Sequence, residues 1–353
     1  MADVPYRPED ITTEWLSEST RSTVTSFDTE QIGIGVGLLG RLYRVMLATE
    51  GDGPSSVIAK FPTLDDGARM NVVEPLRFYE KEVAFYRDIA DEAPIATAKA
   101  YAAEFDAGSG DFCLLLEDLG DRRMCDQTVG CQVKDAEVAI DTMSDMHAHW
   151  WASDFADMPW LPVYSDPPFP QVIAGMFKQA WPRALEVLGS HLGDTYRDYG
   201  ERFPDLVQFF MDSATVEPYS FVHGDFRLDN VFFGTDDTHA PVTLVDFQIS
   251  FKGRAGYDLG YFVSQSLETD ARRSAERALI DRYHSGLASR GIDYPMDELL
   301  NDYRRTIAYC FIYPIVACGQ IEVTNDRMLQ LLHGMVDRAV HAIDDNKALE
   351  VLP

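Results

Sequence analysis

Phe221-Val222-His223-Gly224-Asp225-Phe226-Arg227-Leu228-Asp229-Asn230, followed downstream by Val245-Asp246-Phe247-Gln248, is the stretch whose reading decides the fold. It sets an Asp, an Asn five residues later and a second Asp sixteen residues after that between short apolar runs. Transfer of a phosphoryl group from a nucleotide needs a carboxylate to take the proton of the attacking hydroxyl. It also needs oxygen ligands that hold Mg²⁺ on the phosphates. Asp225 is the candidate catalytic base, and Asn230 and Asp246 are the candidate magnesium ligands.

A kinase catalytic loop has the same Asp-to-Asn spacing of five, with an Asp-Phe-x turn after it. Upstream, the sequence supplies the other groups such chemistry uses. Gly35-x-Gly37-x-x-Gly40 fits a loop whose missing side chains let backbone amides approach phosphates, which makes Gly35 and Gly37 candidate nucleotide contacts. Dinucleotide-binding turns share this spacing but want a helix directly after the glycines and an acidic residue about 20 positions on. Here a strand-like Leu42-Tyr43-Arg44-Val45-Met46-Leu47 follows, and the residue twenty after Gly40 is Lys60, so the phosphate-covering reading is preferred. Lys60 ends the apolar run Val57-Ile58-Ala59-Lys60, where a fixed cation can meet the α- and β-phosphates. Glu82 on the next helix is its expected partner, with Glu80 and Glu74 as rivals; Phe78, Phe85 and Tyr86 put Glu82 on the inward side. The run from Leu114 to Leu119 can present backbone N–H and C=O groups, at Glu117 and Leu119, to an adenine edge. The cofactors expected are ATP and Mg²⁺.

Around these residues the pattern divides the chain at a hinge, Glu117-Asp118-Leu119-Gly120. Residues 8–20 read as a short capped helix. Strands are expected from Thr23 to Ile34, Leu42 to Leu47, Val57 to Phe61, Ala98 to Phe105 and Phe112 to Leu116, with a helix over 75–90. That is a five-strand, one-helix lobe over residues 1–118, the candidate nucleotide-binding lobe. Residues 119–353 form the second lobe, mainly helical, with helices expected over 133–152, 273–290, 297–319 and 325–345; the Pro-rich piece from Pro159 to Pro170 reads as a loop. The fold class is α+β.

Composition narrows the partners. A formal net charge of -28 repels nucleic-acid backbone, so no nucleic-acid partner is expected. Such a surface either serves solubility or steers a cationic substrate. No apolar run of about 20 residues and no basic-then-apolar leader is found, so the chain reads as cytoplasmic and without a membrane partner. The five cysteines are odd in number and form no C-x-x-C pair, which argues against a disulfide framework or a zinc site. His147, His149, Trp150 and Trp151 crowd one helix end and are read as core packing rather than a metal site. Tyr309, Phe311, Tyr313 and Met328 either line an acceptor pocket or fill the core. Arg227 either neutralises charge on the transferred phosphate or bridges to Asp229.

With these residues in place, the chain resembles the aminoglycoside phosphotransferase and choline kinase-like superfamily, small-molecule kinases that share the protein-kinase fold. His223-Gly224-Asp225-Phe226-Arg227-Leu228-Asp229-Asn230 is similar to the signature H-G-D-x-x-x-x-N. Asp246-Phe247-Gln248, with Glu82-Val83-Ala84-Phe85-Tyr86 upstream, is similar to the ecdysteroid kinase-like branch, and His147-Ala148 and Tyr257-Asp258-Leu259-Gly260 resemble further family landmarks. The resemblance spans about residues 25–345. It implies a bilobal fold, Asp225 as base, Asn230 and Asp246 on magnesium, Lys60 with Glu82 as the nucleotide-anchoring ion pair, and His223 as a brace of the turn. Asp246 and Asp258 are only twelve residues apart, too close for a long activation segment, and Gly256-Tyr257-Asp258 is not the A-P-E that closes one. The expected acceptor is therefore a hydroxyl on a small molecule. Gln248 stands where many aminoglycoside kinases carry Gly, a departure that weighs against an antibiotic substrate. Two other readings compete. One is an antibiotic-inactivating aminoglycoside or macrolide phosphotransferase. The other is a nucleotide-binding pseudokinase scaffold, which loss of Lys60, Asp225, Asn230 or Asp246 would favour; all four are present.

Overall fold

The computed structural model describes residues 4–33, 39–320 and 326–353, so Gly35 and Gly37 lie outside the described residues. The chain divides into two compact units. The first comprises Met1–Arg122 together with the short segment Val245–Gln248; the second comprises Arg123–Leu244 and Ile249–Pro353.

The first unit is built on an antiparallel sheet of β1 (Thr23–Ile32), β2 (Gly40–Glu50), β3 (Ser56–Pro62), β4 (Ala100–Asp106) and β5 (Asp111–Glu117), in the order β1-β2-β3-β5-β4. Helix α1 (Thr13–Thr20) opens on Thr12, whose hydroxyl accepts from the Trp15 N–H at 3.1 Å and satisfies one of the donors every helix start leaves open. Trp15 and Leu16 then bury against Val45, Val57, Ala59, Phe61 and Leu115. Because side chains alternate along a strand, Val57, Ala59 and Phe61 go to that core and Lys60 goes to the opposite face of β3. There it meets helix α2 (Phe78–Asp88), whose residues Phe78, Glu82 and Phe85 recur at i, i+4 and i+7 and share one buried face.

The second unit is mainly helical: α3 (Val133–His149), α4 (Phe169–Leu188), α5 (Asp194–Ala214), α6 (Gly256–Ser266), α7 (Thr269–Ser289), α8 (Met296–Tyr309), α9 (Ile312–Gln320) and α10 (Asp326–Asp345). Short strands carry the central motif. β7 (Ser220–Val222) pairs antiparallel with β10 (Phe251–Gly253), while β8 (Val231–Phe233) pairs antiparallel with both β6 (Arg123–Met124) and β9 (Val242–Leu244).

Two expectations change. The single helix expected over 297–319 is two, α8 and α9, broken at Cys310 and Phe311. Pro314 lies in the first turn of α9, where its missing N–H costs nothing, but it could not sit inside a continuous helix without loss of a hydrogen bond. Helices α4 and α5 were not expected. Each contains a proline, Pro182 and Pro204, the residue least suited to a helix interior.

Candidate active site

In the first unit the Lys60 ammonium is clasped by the two Glu82 oxygens at 2.7 and 2.8 Å and by Asp246 Oδ1 at 3.2 Å. The rival carboxylates are engaged elsewhere: Glu80 pairs with Arg77 and Glu74 with Arg69. Burial by itself would discharge Lys60, but Asp246 and Glu82 together hold its pKa above the ordinary lysine value. Two carboxylates thus share one cation. Glu82, only 1% exposed, bears the penalty: burial, reinforced by the charge of Asp246, outweighs the attraction of Lys60 and pushes its pKa up to about 7. Asp246 is brought into the first unit by its neighbour Phe247, which stacks on Phe85 at 3.4 Å between ring centroids and 9° between planes. Its backbone takes the left-handed conformation, φ 67°, uncommon outside glycine. At the hinge run, the Glu117 N–H donates to the Lys99 carbonyl and the Leu119 carbonyl accepts from Arg122 N–H. Asp118 accepts from Arg44 and Ser56, both at 2.8 Å.

In the second unit the loop from β7 to β8 carries Asp225. Gly224 has φ 81°, and a Cβ there would lie 2.6 Å from the Ile249 carbonyl, so only glycine fits. The loop is hung on Asp258, which is fully buried at the start of α6. Its Oδ2 accepts from the His223 N–H at 2.8 Å, its Oδ1 from the Gly224 N–H at 2.9 Å. His147 Nε2 is 3.1 Å from the same Oδ2, and its Nδ1 lies 2.6 Å from the Tyr283 hydroxyl. His147 is thus part of the brace for the loop. At the far end, the Leu228 N–H donates to Gln127 Oε1, and Gln127 is itself anchored by Arg338.

The Asp225 carboxylate is held on both sides. Oδ2 accepts from Asn230 Nδ2 at 2.9 Å, with Arg227 Nε at 3.4 Å, and Oδ1 accepts from the Tyr261 hydroxyl at 3.0 Å. Arg227 Nη1 also bridges to Asp229 at 2.7 Å. Tyr261 lies flat on Tyr313, with centroids 4.2 Å apart, and Tyr313 shares a 2.8 Å hydroxyl contact with Tyr257. Burial first, then the Asp225 charge, keeps the Tyr261 phenol far above its ordinary pKa, so it stays a donor. Tyr261 escaped the sequence reading; its spacing three residues after Asp258 on a helix, one turn along, was the available signal. Phe311 fills the core, fully buried among Phe177, Tyr199 and Phe203, and Trp150 packs on Phe221.

The donor chemistry fits magnesium. Asn230 spends Nδ2 on the Asp225 carboxylate and carbonyl, which leaves its amide oxygen as the end offered to a cation. Separately, in the first unit, Asp246 carries a carboxylate. Hard oxygen donors, few in number, suit an ion that keeps several of its waters. No cluster of three or more His, Cys, Asp or Glu able to hold a metal occurs among the described residues. The five cysteines are free, and no described helix is long and apolar enough to cross a membrane.

Taken together, an antiparallel five-stranded sheet with a buried lysine–glutamate pair, followed by a helical unit with a braced His-Gly-Asp loop, defines a member of the aminoglycoside phosphotransferase and choline kinase-like superfamily. Within it, the chain belongs to the ecdysteroid kinase-like family, whose model matches residues 36–291. No curated protein matches the chain. Among solved structures, choline kinase LicA from Streptococcus pneumoniae is similar with a TM-score of 0.54 at 14% identity, covering 94% of this chain and 97% of that one. A choline kinase from Cryptosporidium parvum Iowa II gives 0.52 at 11%, with 93% and 92% covered. The GDP and kanamycin complex of APH(2")-IIia gives 0.52 at 13%, with 96% and 99% covered. At these identities the likeness establishes the fold.

Proposed function

We propose that this protein is an ATP- and Mg²⁺-dependent kinase that transfers the γ-phosphoryl group to a hydroxyl of a small molecule. The observation that carries the reading is the Asp225 carboxylate, held by Asn230 and Tyr261 on a loop that two buried backbone bonds to Asp258 keep in shape. Asp225 takes the proton of the acceptor hydroxyl as the new O–P bond forms and the bond to the departing ADP breaks. Lys60, fixed by Glu82, is the cation for the α- and β-phosphates. The glycines at 35 and 37, with the backbone at Glu117 and Leu119, are proposed to seat the rest of the nucleotide. Asn230 and Asp246 are proposed to hold magnesium, which when bound neutralises phosphate charge. Arg227 is proposed to meet the transferred phosphate, leaving its bridge to Asp229 to do so. Residues 1–118 serve the nucleotide and 119–353 the catalysis and the acceptor. The nucleotide complexes and small-molecule kinases among the similar structures support this reading.

The test is ATP consumption over a panel of alcohols, sugars, amino alcohols and steroids, with Asp225→Asn and Asp246→Ala in parallel. Loss of turnover by at least a hundredfold is expected in each, on the usual scale of acid–base catalysis. Undiminished turnover in either would refute the mechanism, and a wild type that binds nucleotide without turnover on any acceptor or water would favour a scaffold.

A further inference from the structure

Gln248 is a polar residue of the central motif to which the proposed chemistry gives no task. It is 9% exposed. Its Nε2 lies 3.5 Å from Asp246 Oδ2, while its Oε1 is buried and has no hydrogen-bond partner among the described residues. The contact to Asp246 decides which end of the amide is oxygen, because the opposite orientation would set a carbonyl lone pair against a carboxylate. A buried carbonyl oxygen without a donor is costly, and native folds rarely keep one without a ligand or water to complete it.

The surroundings restrict what that ligand can be. Asp246 Oδ1 is held by Lys60 at 3.2 Å and Oδ2 faces Gln248, so the carboxylate is oriented from both sides. A free acceptor beside an oriented carboxylate repels an anion and suits a positive charge, or a hydroxyl polarised by one. A hydrated divalent cation offers both the charge and the donors.

We propose that Gln248 is a positioning residue of the metal centre on Asp246. Nε2 sets the rotation of the carboxylate, and Oε1 accepts a hydrogen bond from the cation's hydration water. The inference rests on the reading of Asp246 as a magnesium ligand.

Mn²⁺ is the probe, titrated into the full-length protein and followed by the electron paramagnetic resonance signal of the free ion, with and without ADP. Gln248→Met keeps side-chain length and apolar packing but removes both ends of the amide. It should weaken Mn²⁺ binding about tenfold or more, on the scale of outer-shell partners. The melting temperature of the metal-free protein should hold or rise, because the orphan acceptor is gone. Gln248→Glu keeps an oxygen there and adds charge, and should bind Mn²⁺ at least as tightly as the wild type. Asp246→Ala should abolish binding. If Asp246→Ala still binds Mn²⁺ like the wild type, the metal assignment itself fails. If Asp246→Ala abolishes binding but Gln248→Met stays within about twofold, or Gln248→Glu loses as much as Gln248→Met, the role of Gln248 alone is overturned.

Discussion

Replacing Asp258 by Asn keeps the shape of a fully buried side chain and turns one acceptor oxygen into a donor. The two oxygens serve three donors: Gly224 N–H at Oδ1, and His223 N–H with His147 Nε2 at Oδ2. An Asn nitrogen at the Oδ2 position would strand two of them, so the amide should turn its nitrogen toward Gly224 and strand one. A stranded buried donor costs about 1–3 kcal/mol, and two further bonds drop from a charged to a neutral acceptor at about 1 kcal/mol each. The expected loss is about 3–5 kcal/mol, a large fraction of the ~5–15 kcal/mol that holds most domains together. Urea unfolding followed by circular dichroism reads it as an earlier midpoint at unchanged slope. Turnover should fall as well, because Asp225 follows directly on the two residues that Asp258 holds. A loss below about 1 kcal/mol would refute the reasoning, since it would mean the loop keeps its conformation without the charged acceptor.

Gly224→Ala meets both a φ of 81° and a carbonyl oxygen 2.6 Å from the new Cβ, and should destabilise by at least ~1–3 kcal/mol in the same assay. Tyr261→Phe removes the 3.0 Å donor from Asp225 while keeping the ring stacked on Tyr313, and should lower kcat about tenfold with little change in KM for ATP. An equal rise in KM would point to nucleotide binding instead. Arg227→Met should lower kcat more than it alters the melting temperature; unchanged turnover would leave Arg227 only its bridge to Asp229. Glu82 has a folded pKa raised from 4.5 to about 7, so the folded protein holds the extra proton between those values. Its contribution to stability is complete below about pH 4.5 and fades as the pH rises through 7. Metal-free wild type should therefore lose stability relative to Glu82→Gln across that window, and parallel curves would contradict it.

The five-stranded sheet was legible because β2, β3 and β5 alternate or run apolar between clear turns, and α2 because Phe78, Glu82 and Phe85 keep helical spacing. The spacing of Asp225, Asn230 and Asp246 was legible as a pattern, and the roles of proton acceptor and oxygen ligands read from it are the ones proposed above. What the sequence concealed has a physical cause in each case. Pro182 and Pro204 sit inside α4 and α5, and local reading gives proline a helix end where tertiary packing overrides it. Asp258 was visible only as a landmark: its work is to accept backbone N–H groups more than thirty residues away, which no periodicity encodes. The same holds for Tyr261, whose hydroxyl meets Asp225 thirty-six positions upstream. The fate of Arg227 was open between two partners, and the structure shows the bridge to Asp229.

The stacking of Phe247 on Phe85 has a consequence for how this protein can be taken apart. The first unit is not a contiguous stretch of gene: four residues from position 245 onward complete it, and they bring Asp246 to Lys60. A single cut near residue 122 would uncover the face of Phe85 on which Phe247 stacks and leave the Lys60–Glu82 pair without its second carboxylate. The first unit cannot be inherited, recombined or expressed as one uninterrupted segment with its interior intact. Exchanging whole C-terminal segments between relatives would therefore also exchange part of the lysine's own environment.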